Sequence, residues 1–521
     1  MQRPPAARSC QLLFLALFLV LFVQTEYRGR DELGAAVNAF FRANPLTLVS
    51  TLLADRSFTW LLFPAVLTLL ATALLGRFVC GWLCPLGTLL DLIGPRFRRR
   101  GPLRWLSGNA RYWLLLPLLA AALAGSNLAG LLDPIALLLR GLSLALYPLI
   151  GTAARESWVG LYHLLGEGRD TLAPAYHLLR DYLLPFRTTL YPLAGLSLAL
   201  LLAIFALEAS EPRAWCRRLC PLGTLLALTG RLSPFKRVPN RLCSDCSACR
   251  ELCPSAFDRD ILQSDSCIRC QSCVSGCQQG RARFRWSQPQ LEREYLPSRR
   301  VLLGGIVSGF ALARLFRYRQ PEAQARLLRP PGVLEEREFL AKCVRCGECL
   351  KVCLKSALYP AAFQAGAEGL YTPLVIPRLG YCEFNCTLCG QVCPTGAIPN
   401  LPVPEKQRAV IGKAVFDKNY CLPFAKQSPC IVCEEHCPIP GKAIHFDTVT
   451  ETRPDGSQVT LQKPRVVEER CNGCGICENV CPVDGPPGVL VVAVKDRAPL
   501  APFTSGHAPA VQPQPATDPY S

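Results

Sequence analysis

The chain has 521 residues, enough for two to four domains, and a formal charge of +18. Much of the basic excess follows apolar segments: five arginines lie between residues 96 and 104, and six basic residues lie between 213 and 237. This distribution is typical of the positive-inside rule of membrane proteins and argues against nucleic acid as a partner. Of the 29 cysteines, 24 lie between residues 243 and 481 in tight repeated runs, a spacing that excludes an ordinary disulfide framework.

Residues 1–232 predict an α-helical transmembrane bundle of four spans. Apolar stretches at 10–24, 58–76, 112–132 and 188–207 are long enough, or nearly so, to cross the hydrocarbon core. The first is not followed by a small-residue cleavage site, so it predicts an anchor rather than a removed signal peptide. Residues 135–150 are also apolar but carry Arg140 in their middle, which predicts an interfacial or re-entrant helix.

The predicted bundle contains an internal repeat. Residues 80–90 read CGWLCPLGTLL and residues 216–226 read CRRLCPLGTLL, each just after an apolar span. The repeat predicts two related halves of two spans each. Its cysteines, expected at similar depth, are Cys80, Cys84, Cys216 and Cys220. Two interpretations stay open for them: a further redox site, either a cluster or a dithiol, or packing as small apolar side chains.

A compact cysteine module is predicted at 233–290. It contains the run C-x2-C-x2-C-x3-C twice, the pattern with which bacterial ferredoxins bind [4Fe–4S] clusters. In that pattern three cysteines wrap one cubane and the fourth reaches across to the other. One cluster is therefore assigned to Cys243, Cys246, Cys249 and Cys277, and the other to Cys253, Cys267, Cys270 and Cys273. Zinc is the alternative, but zinc sites use pairs of C-x-x-C and leave the third cysteine of each run without a role.

Residues 296–318 resemble a twin-arginine export signal. Arg299 and Arg300 precede an apolar segment at 301–313. The alternative is a chance arginine pair before a short core helix. Three arginines between residues 314 and 319 argue against ordinary translocation of this segment.

A linker (319–335) leads to a predicted four-cluster module at 336–495, followed by a disordered tail at 496–521. The module has four runs, two of them with a lengthened first gap, and its sixteen cysteines make four tetrads with none left over. Pairing of neighbouring runs and pairing of the first run with the last both remain open. The runs are Cys343, Cys346, Cys349, Cys353; Cys382, Cys386, Cys389, Cys393; Cys421, Cys430, Cys433, Cys437; and Cys471, Cys474, Cys477, Cys481.

The sequence thus predicts a multidomain protein: a four-span α-helical membrane bundle followed by two α+β modules of the bacterial ferredoxin type. The spans, the two C-x3-C-P motifs and the first cysteine module resemble the NapH/MauN family of membrane ferredoxin-type proteins of quinol dehydrogenases. The twin-arginine stretch and the four-run module resemble the NapG/MauM family, their exported partners. Over about residues 8–490 the chain resembles a fusion of the two.

That resemblance implies an electron-transfer component of a quinol dehydrogenase in the bacterial inner membrane. Quinol would be the substrate, about six [4Fe–4S] clusters the cofactors, and a periplasmic reductase or cytochrome the partner. The first module would be cytoplasmic and the second periplasmic. The alternative function is an accessory ferredoxin that supplies electrons for metalloenzyme maturation; a redox sensor ranks last because the sequence shows no regulatory domain.

Overall fold

The computed structural model describes residues 4–27, 29, 31–97, 110–165, 173–185, 189–238, 252–254, 267–277, 282–287, 297–317, 327–333, 335–494 and 497–501. The described part of residues 1–232 is helical. Its helices are α1 (Pro5–Gln24), α2 (Asn38–Arg42), α3 (Pro45–Asp55), α4 (Phe63–Leu75), α5 (Phe78–Trp82), α6 (Pro85–Phe97), α7 (Ala110–Leu123), α8 (Pro134–Arg140), α9 (Tyr147–Leu165), α10 (Ala173–Tyr182), α11 (Ala194–Ser210), α12 (Ala214–Arg218) and α13 (Pro221–Gly230).

Two helices in the described part of the chain are long and apolar enough to cross a membrane. One is α1, and the other runs without a break over Pro134–Leu164, where a π-helical turn joins α8 to α9. The other three predicted spans form the shorter apolar helices α4, α7 and α11, so helix length and composition do not establish four spans. The helix predicted at 135–150 is also longer than expected, since it continues to Leu164, and Arg140 is buried within it.

Two helices begin inside the bundle, and their first turns meet. Asn44 caps α3 and Asp133 caps α8, and the Asn44 side-chain amide donates a hydrogen bond of 2.6 Å to the Asp133 carboxylate. The residues that precede α3 and α8 are hydrogen-bonded to the second cysteine module. Asn38 donates to the Val392 carbonyl, and the Asn127 amide donates to the Ala341 carbonyl. Residues 38–55 and 126–140 therefore enter and leave the bundle at the same end.

The two cysteine modules contact opposite ends of the same helices. At the end of α4, Gly76 lies against the Arg269 side chain of the first module, and just before its start Leu61 lies near Gly396 of the second. Helix α1 has the same arrangement. Near its start Gln11 donates to the carbonyl of Gly81, at the end that contacts the first module, and just past its end the Thr25 carbonyl accepts a hydrogen bond from Lys351 of the second.

A further helix, α15 (Arg299–Phe316), carries the chain from the first module towards the second. It packs along α7: Gly304 lies against Trp113, Gly309 lies against Pro117 and Ala120, and Arg317 donates to the Ala124 carbonyl. Gly305 and Gly309 form a G-x-x-x-G pattern, whose missing side chains allow two helices to approach closely. The segment predicted as a short export signal is therefore an 18-residue helix packed against the bundle.

The described part of the first module is small. Strands β1 (Phe235–Val238) and β2 (Arg283–Trp286) pair antiparallel, and between them lie the second cysteine run and the short helix α14 (Ser272–Ser275). Three of the predicted ligands, Cys243, Cys246 and Cys249, lie outside the described residues.

The second module consists of two halves with short helices and two-stranded antiparallel sheets, and they share one buried core. Its long hairpin, with strands of 9 residues at Ile444–Thr452 and Gln458–Val466, was not anticipated from the sequence. The first half contains α16 (Glu336–Lys342), α17 (Glu348–Val352), β3 (Leu358–Pro360), β4 (Pro373–Val375), α18 (Leu388–Gln391) and α19 (Val403–Arg408). The second contains β5 (Lys413–Phe416), α20 (Leu422–Ala425), α21 (Val432–Glu435), β6 (Ile444–Thr452), β7 (Gln458–Val466), α22 (Ile476–Asn479) and β8 (Val489–Val492).

Candidate iron–sulfur sites

The first run of the second module closes around a cavity that is completed by a cysteine of the second run. We call these residues site A: Cys343, Cys346, Cys349 and Cys393 all line this cavity. The loop can turn this tightly because Gly347 has a φ of 88°, a backbone conformation that a residue without a Cβ adopts at little cost. Cys349 is the second residue of α17 and faces the other three cysteines of site A.

The other three tetrads follow the same sharing rule, which the sequence left open. Each run gives three cysteines to its own site and its fourth cysteine to the neighbouring run, so the first run pairs with the second and the third with the fourth. Electrostatic interactions among the buried thiols group them as site B (Cys353, Cys382, Cys386, Cys389), site C (Cys421, Cys430, Cys433, Cys481) and site D (Cys437, Cys471, Cys474, Cys477).

The fourth cysteine of every run in this module accepts a backbone hydrogen bond at sulfur. The donors are the N–H groups of Ala357, Ile398, Ala443 and Gly488, at 3.2 to 3.4 Å. Hydrogen bonds to cysteine sulfur stabilise negative charge on a ligated cluster and so raise its reduction potential. These donors come from the segment that follows each run, so the fold supplies them wherever the run is formed.

The thiols are held in an environment that disfavours thiolate in the absence of a cation. Burial, together with the charges of neighbouring cysteines, raises the pKa of Cys386, Cys433 and Cys474 to about 12 each. Iron binding offsets the cost of ionising the four thiols of a site, because each soft thiolate then shares its negative charge with the metal. The residues present therefore fit an iron–sulfur group.

Lys406 is a site residue that was not predicted from the sequence. Its ammonium group is buried and donates a hydrogen bond of 3.0 Å to the Phe384 carbonyl beside site B. Burial alone would lower the pKa of Lys406, but the thiolates of Cys382, Cys386 and Cys389 together raise it above its ordinary value. A charged lysine thus lies against site B.

Backbone contacts arrange the sites in order. The Cys382 N–H donates to the Cys474 carbonyl at 2.9 Å, so site B adjoins site D. Site C adjoins site D through the shared third and fourth runs. Site A adjoins the bundle: the Val344 carbonyl lies against Gly130, and Arg140 of α8 donates to the Arg345 carbonyl at 3.0 Å. The order outward from the bundle is A, B, D, C.

The second run of the first module docks in a similar way at the other end. The carbonyl of Ile268, between Cys267 and Cys270, lies against Gly81, and the Trp82 indole donates to the Arg269 carbonyl at 2.9 Å. Both docking loops therefore place the residue after their first cysteine on a glycine of the bundle. Of the cysteines assigned to this module, those within the described residues are Cys253, Cys267, Cys270, Cys273 and Cys277, and their division into two tetrads stays a prediction.

The four cysteines of the repeat meet inside the bundle. We call Cys80, Cys84, Cys216 and Cys220 the bundle cysteines. Cys220 lies within electrostatic range of the other three, and all four belong to one core with Ile268 and Cys270 of the first module. The expectation that the repeat brings them together is thereby met, whereas their chemical role stays a prediction.

Two arginines clasp the bundle cysteines with approximate two-fold symmetry. Arg77 donates to the Cys216 carbonyl at 3.3 Å, and its repeat counterpart Arg213 donates to the Cys80 carbonyl and, at 3.1 Å, to the Gly87 carbonyl. Arg213 also forms a buried ion pair with Asp91, with a hydrogen bond of 3.0 Å. The sequence shows Ala227 at the position equivalent to Asp91.

No group of three or more His, Cys, Asp and Glu side chains within the described residues is arranged to hold a single metal ion.

A model of a family described as a 4Fe-4S binding domain matches residues 57–104 and again residues 192–239, so the internal repeat is confirmed. A second such model, of the same description, matches residues 464–485. The ferredoxin-type protein MauM of Paracoccus denitrificans (strain Pd 1222) is 39% identical over 181 residues, which are 34% of this chain and 75% of that protein. The chain belongs to the MauM/NapG family of ferredoxin-type proteins.

Further relatives agree. MauM of Methylorubrum extorquens is 37% identical over 36% of this chain and 84% of its own length, and the ferredoxin-type protein NapG of Escherichia coli (strain K12) is 32% identical over 39% and 86%. No solved structure matches the chain. The MauM/NapG likeness covers little more than a third of the residues, and the NapH/MauN resemblance of the remainder stays a prediction. The chain is accordingly an iron–sulfur electron-transfer protein with [4Fe–4S] binding domains.

Proposed function

We propose that this MauM/NapG family member is a multi-pass inner-membrane electron conduit that takes electrons from quinol and delivers them to a periplasmic reductase or cytochrome. The observation that carries the proposal is the position of the two cysteine modules at opposite ends of α1 and α4. A protein with redox sites at both ends of a helical bundle is suited to moving electrons across the layer that the bundle occupies.

The surface of the bundle supports a membrane location. Leu67, Leu70 and Leu74 on α4 are each more than half exposed, and so is Val307 on α15. Large apolar side chains on the outside of a helical bundle are compatible with lipid and unfavourable in water. Helix α15 has 18 residues and so is about 27 Å long, close to the roughly 30 Å of a hydrocarbon core.

The basic residues support one orientation. The basic residues between 213 and 237 follow α11 at the end of the bundle that contacts the first module, where Arg213 donates to the Cys80 carbonyl and Gly81 lies against Ile268. Cytoplasmic loops carry the excess of Lys and Arg, so we infer a cytoplasmic first module and a periplasmic second module. In this proposal Arg299 and Arg300 are the basic pair of an export signal whose apolar part, α15, stays in the membrane as the crossing helix.

Six tetrads would hold six [4Fe–4S] clusters, each of which carries one electron when bound. The chain's own residues set the order. The Cys267–Cys270 loop docks beside the bundle cysteines, and at the other end sites A, B, D and C follow one another outward. The bundle cysteines lie between the two docking loops, where a seventh cluster or a dithiol would divide a long gap.

The test of sidedness uses the exposed turn of the β6–β7 hairpin. An epitope with a protease site is inserted between Asp455 and Gly456 of the full chain, with a matched insertion at the N-terminus as control. In intact spheroplasts we expect cleavage at the hairpin and protection at the N-terminus. Protection of both until lysis would place all sites on the cytoplasmic side and refute the proposal.

Turnover separates the conduit from a maturation factor. The purified full chain is given a quinol analogue and an excess of a one-electron acceptor. A conduit oxidises the quinol continuously, with two acceptor molecules reduced per quinol because quinol oxidation releases two electrons. Oxidation that stops after the resident clusters are reduced would favour the accessory role.

A further inference from the structure

Arg140 is a buried cation at the junction between the bundle and site A. Arg140 is 2% exposed and lies in the most apolar part of the Pro134–Leu164 helix. Buried arginines in such helices are costly and usually serve a function. The sequence shows the anomaly, an arginine in the middle of an apolar segment, but gives no reason for it.

The hydrogen-bond partners of Arg140 are neutral. The guanidinium donates to the Arg345 carbonyl at 3.0 Å and to the Leu131 carbonyl at 2.8 Å, and it lies over the Tyr371 ring at 4.5 Å from the ring centre. No salt bridge to Arg140 is found among the described residues. Its charge is therefore not cancelled by a directly bonded carboxylate.

The loop that Arg140 contacts is the one that forms site A. Arg345 stands between Cys343 and Cys346, and the Arg140 side chain also lies 3.5 Å from the Cβ position of Gly347. The guanidinium is within electrostatic range of Asp133 and Arg345, to neither of whose charged groups it is hydrogen-bonded, and of Cys346. Glu348, the buried carboxylate of the same loop, interacts with Arg42 and Lys351 instead.

We propose that Arg140 is the positioning and charge-compensating residue that raises the reduction potential of the group held at site A. A cluster gains a negative charge on reduction, and an adjacent buried cation stabilises that charged state. The carbonyl contact fixes the loop against the bundle, and the charge makes site A the favoured receiver for electrons that leave the bundle. This inference rests on the proposed presence of a cluster at site A.

The experiment is a redox titration of the full-length, detergent-solubilised protein, followed by electron paramagnetic resonance with iron analysis of each sample. Cys346→Ser identifies the signal of site A. Arg140→Gln removes the charge and keeps an amide donor, Arg140→Lys keeps the charge, and Arg465→Gln on the exposed hairpin is the matched control.

We expect Arg140→Gln to shift the site A midpoint potential to a lower value, while Arg140→Lys and Arg465→Gln leave it unchanged. An unchanged potential in Arg140→Gln at full iron content, or an equal shift in Arg140→Gln and Arg140→Lys, would overturn the inference. If Arg140→Gln loses the site A iron, the Arg140→Lys variant provides the test. An unchanged site A potential in Arg140→Lys supports the role of the charge, and a lowered potential contradicts it. If Cys346→Ser changes neither the spectrum nor the iron content, the proposed cluster at site A is itself refuted.

Discussion

Replacement of Arg213 by methionine tests how much the hydrogen bonds of this arginine stabilise the region of the bundle cysteines. Arg213 is 1% exposed and is hydrogen-bonded to the carbonyls of Cys80 and Gly87 and to the carboxylate of Asp91. Methionine fills much of the same volume but donates no hydrogen bond. The substitution therefore leaves a buried carboxylate without its cation and two carbonyls without their donor.

The expected loss of stability follows from breaking the ion pair between Arg213 and Asp91. Removing one partner of a buried ion pair typically costs about 3–5 kcal/mol, because the remaining charge stays buried. For a unit of some 200 residues this corresponds to a fall of about 10 °C in melting temperature. Arg77→Met is the internal comparison: Arg77 occupies the equivalent place in the other half, where Ala227 replaces the acidic residue, so we expect a smaller loss.

Thermal unfolding of the full chain in detergent, followed by circular dichroism, measures the difference. The double variant Arg213→Met with Asp91→Leu removes both charges, and it should recover part of the loss because a buried pair replaced by apolar side chains is often near neutral. Equal losses in Arg213→Met and Arg77→Met, or no recovery in the double variant, would refute the reasoning.

Three further predictions concern the sites and the crossing helix. Cys393→Ser should change the same spectroscopic signal as Cys343→Ser and leave the Cys382→Ser signal intact, as seen by paramagnetic resonance. Gly309→Val should destabilise the contact of α15 with α7 by about 1–3 kcal/mol, since an added Cβ would lie 2.4 Å from that of Ala120; thermal unfolding measures the loss. Lys406→Met should lower the potential of site B by roughly 50–100 mV, the order of magnitude for removing a buried unit charge beside the site at an effective dielectric constant of about 20.

Each of these has an outcome that contradicts it. A Cys393→Ser signal that matches Cys421→Ser would restore the scheme in which the first run pairs with the last and the second with the third. Val307→Leu is the control for Gly309→Val, because Val307 is 67% exposed, and equal destabilisation of both would exclude close packing as the cause. For Lys406, a potential that stays constant at full iron content would show that its charge does not reach site B.

The cysteine runs made the ligand chemistry readable from the sequence, because their spacing is local. Three cysteines at intervals of three residues wrap a cubane whatever the rest of the chain does. The internal repeat was readable for the same reason, and the fold confirms that it brings Cys80, Cys84, Cys216 and Cys220 together. Long apolar stretches likewise predicted a helical N-terminal region, which the structure contains.

Contacts between distant residues decided the rest. Spacing cannot tell whether Cys393 joins Cys343 or another run, because the choice depends on how two loops fold back on one another. Hydropathy predicted an interfacial or re-entrant helix at 135–150 because of Arg140, since no local signal shows that the guanidinium will bond to a carbonyl 205 residues away. The same holds for α15: only its packing on α7 shows that an apparent signal segment is a helix of the bundle, joining modules that contact opposite ends of α1 and α4.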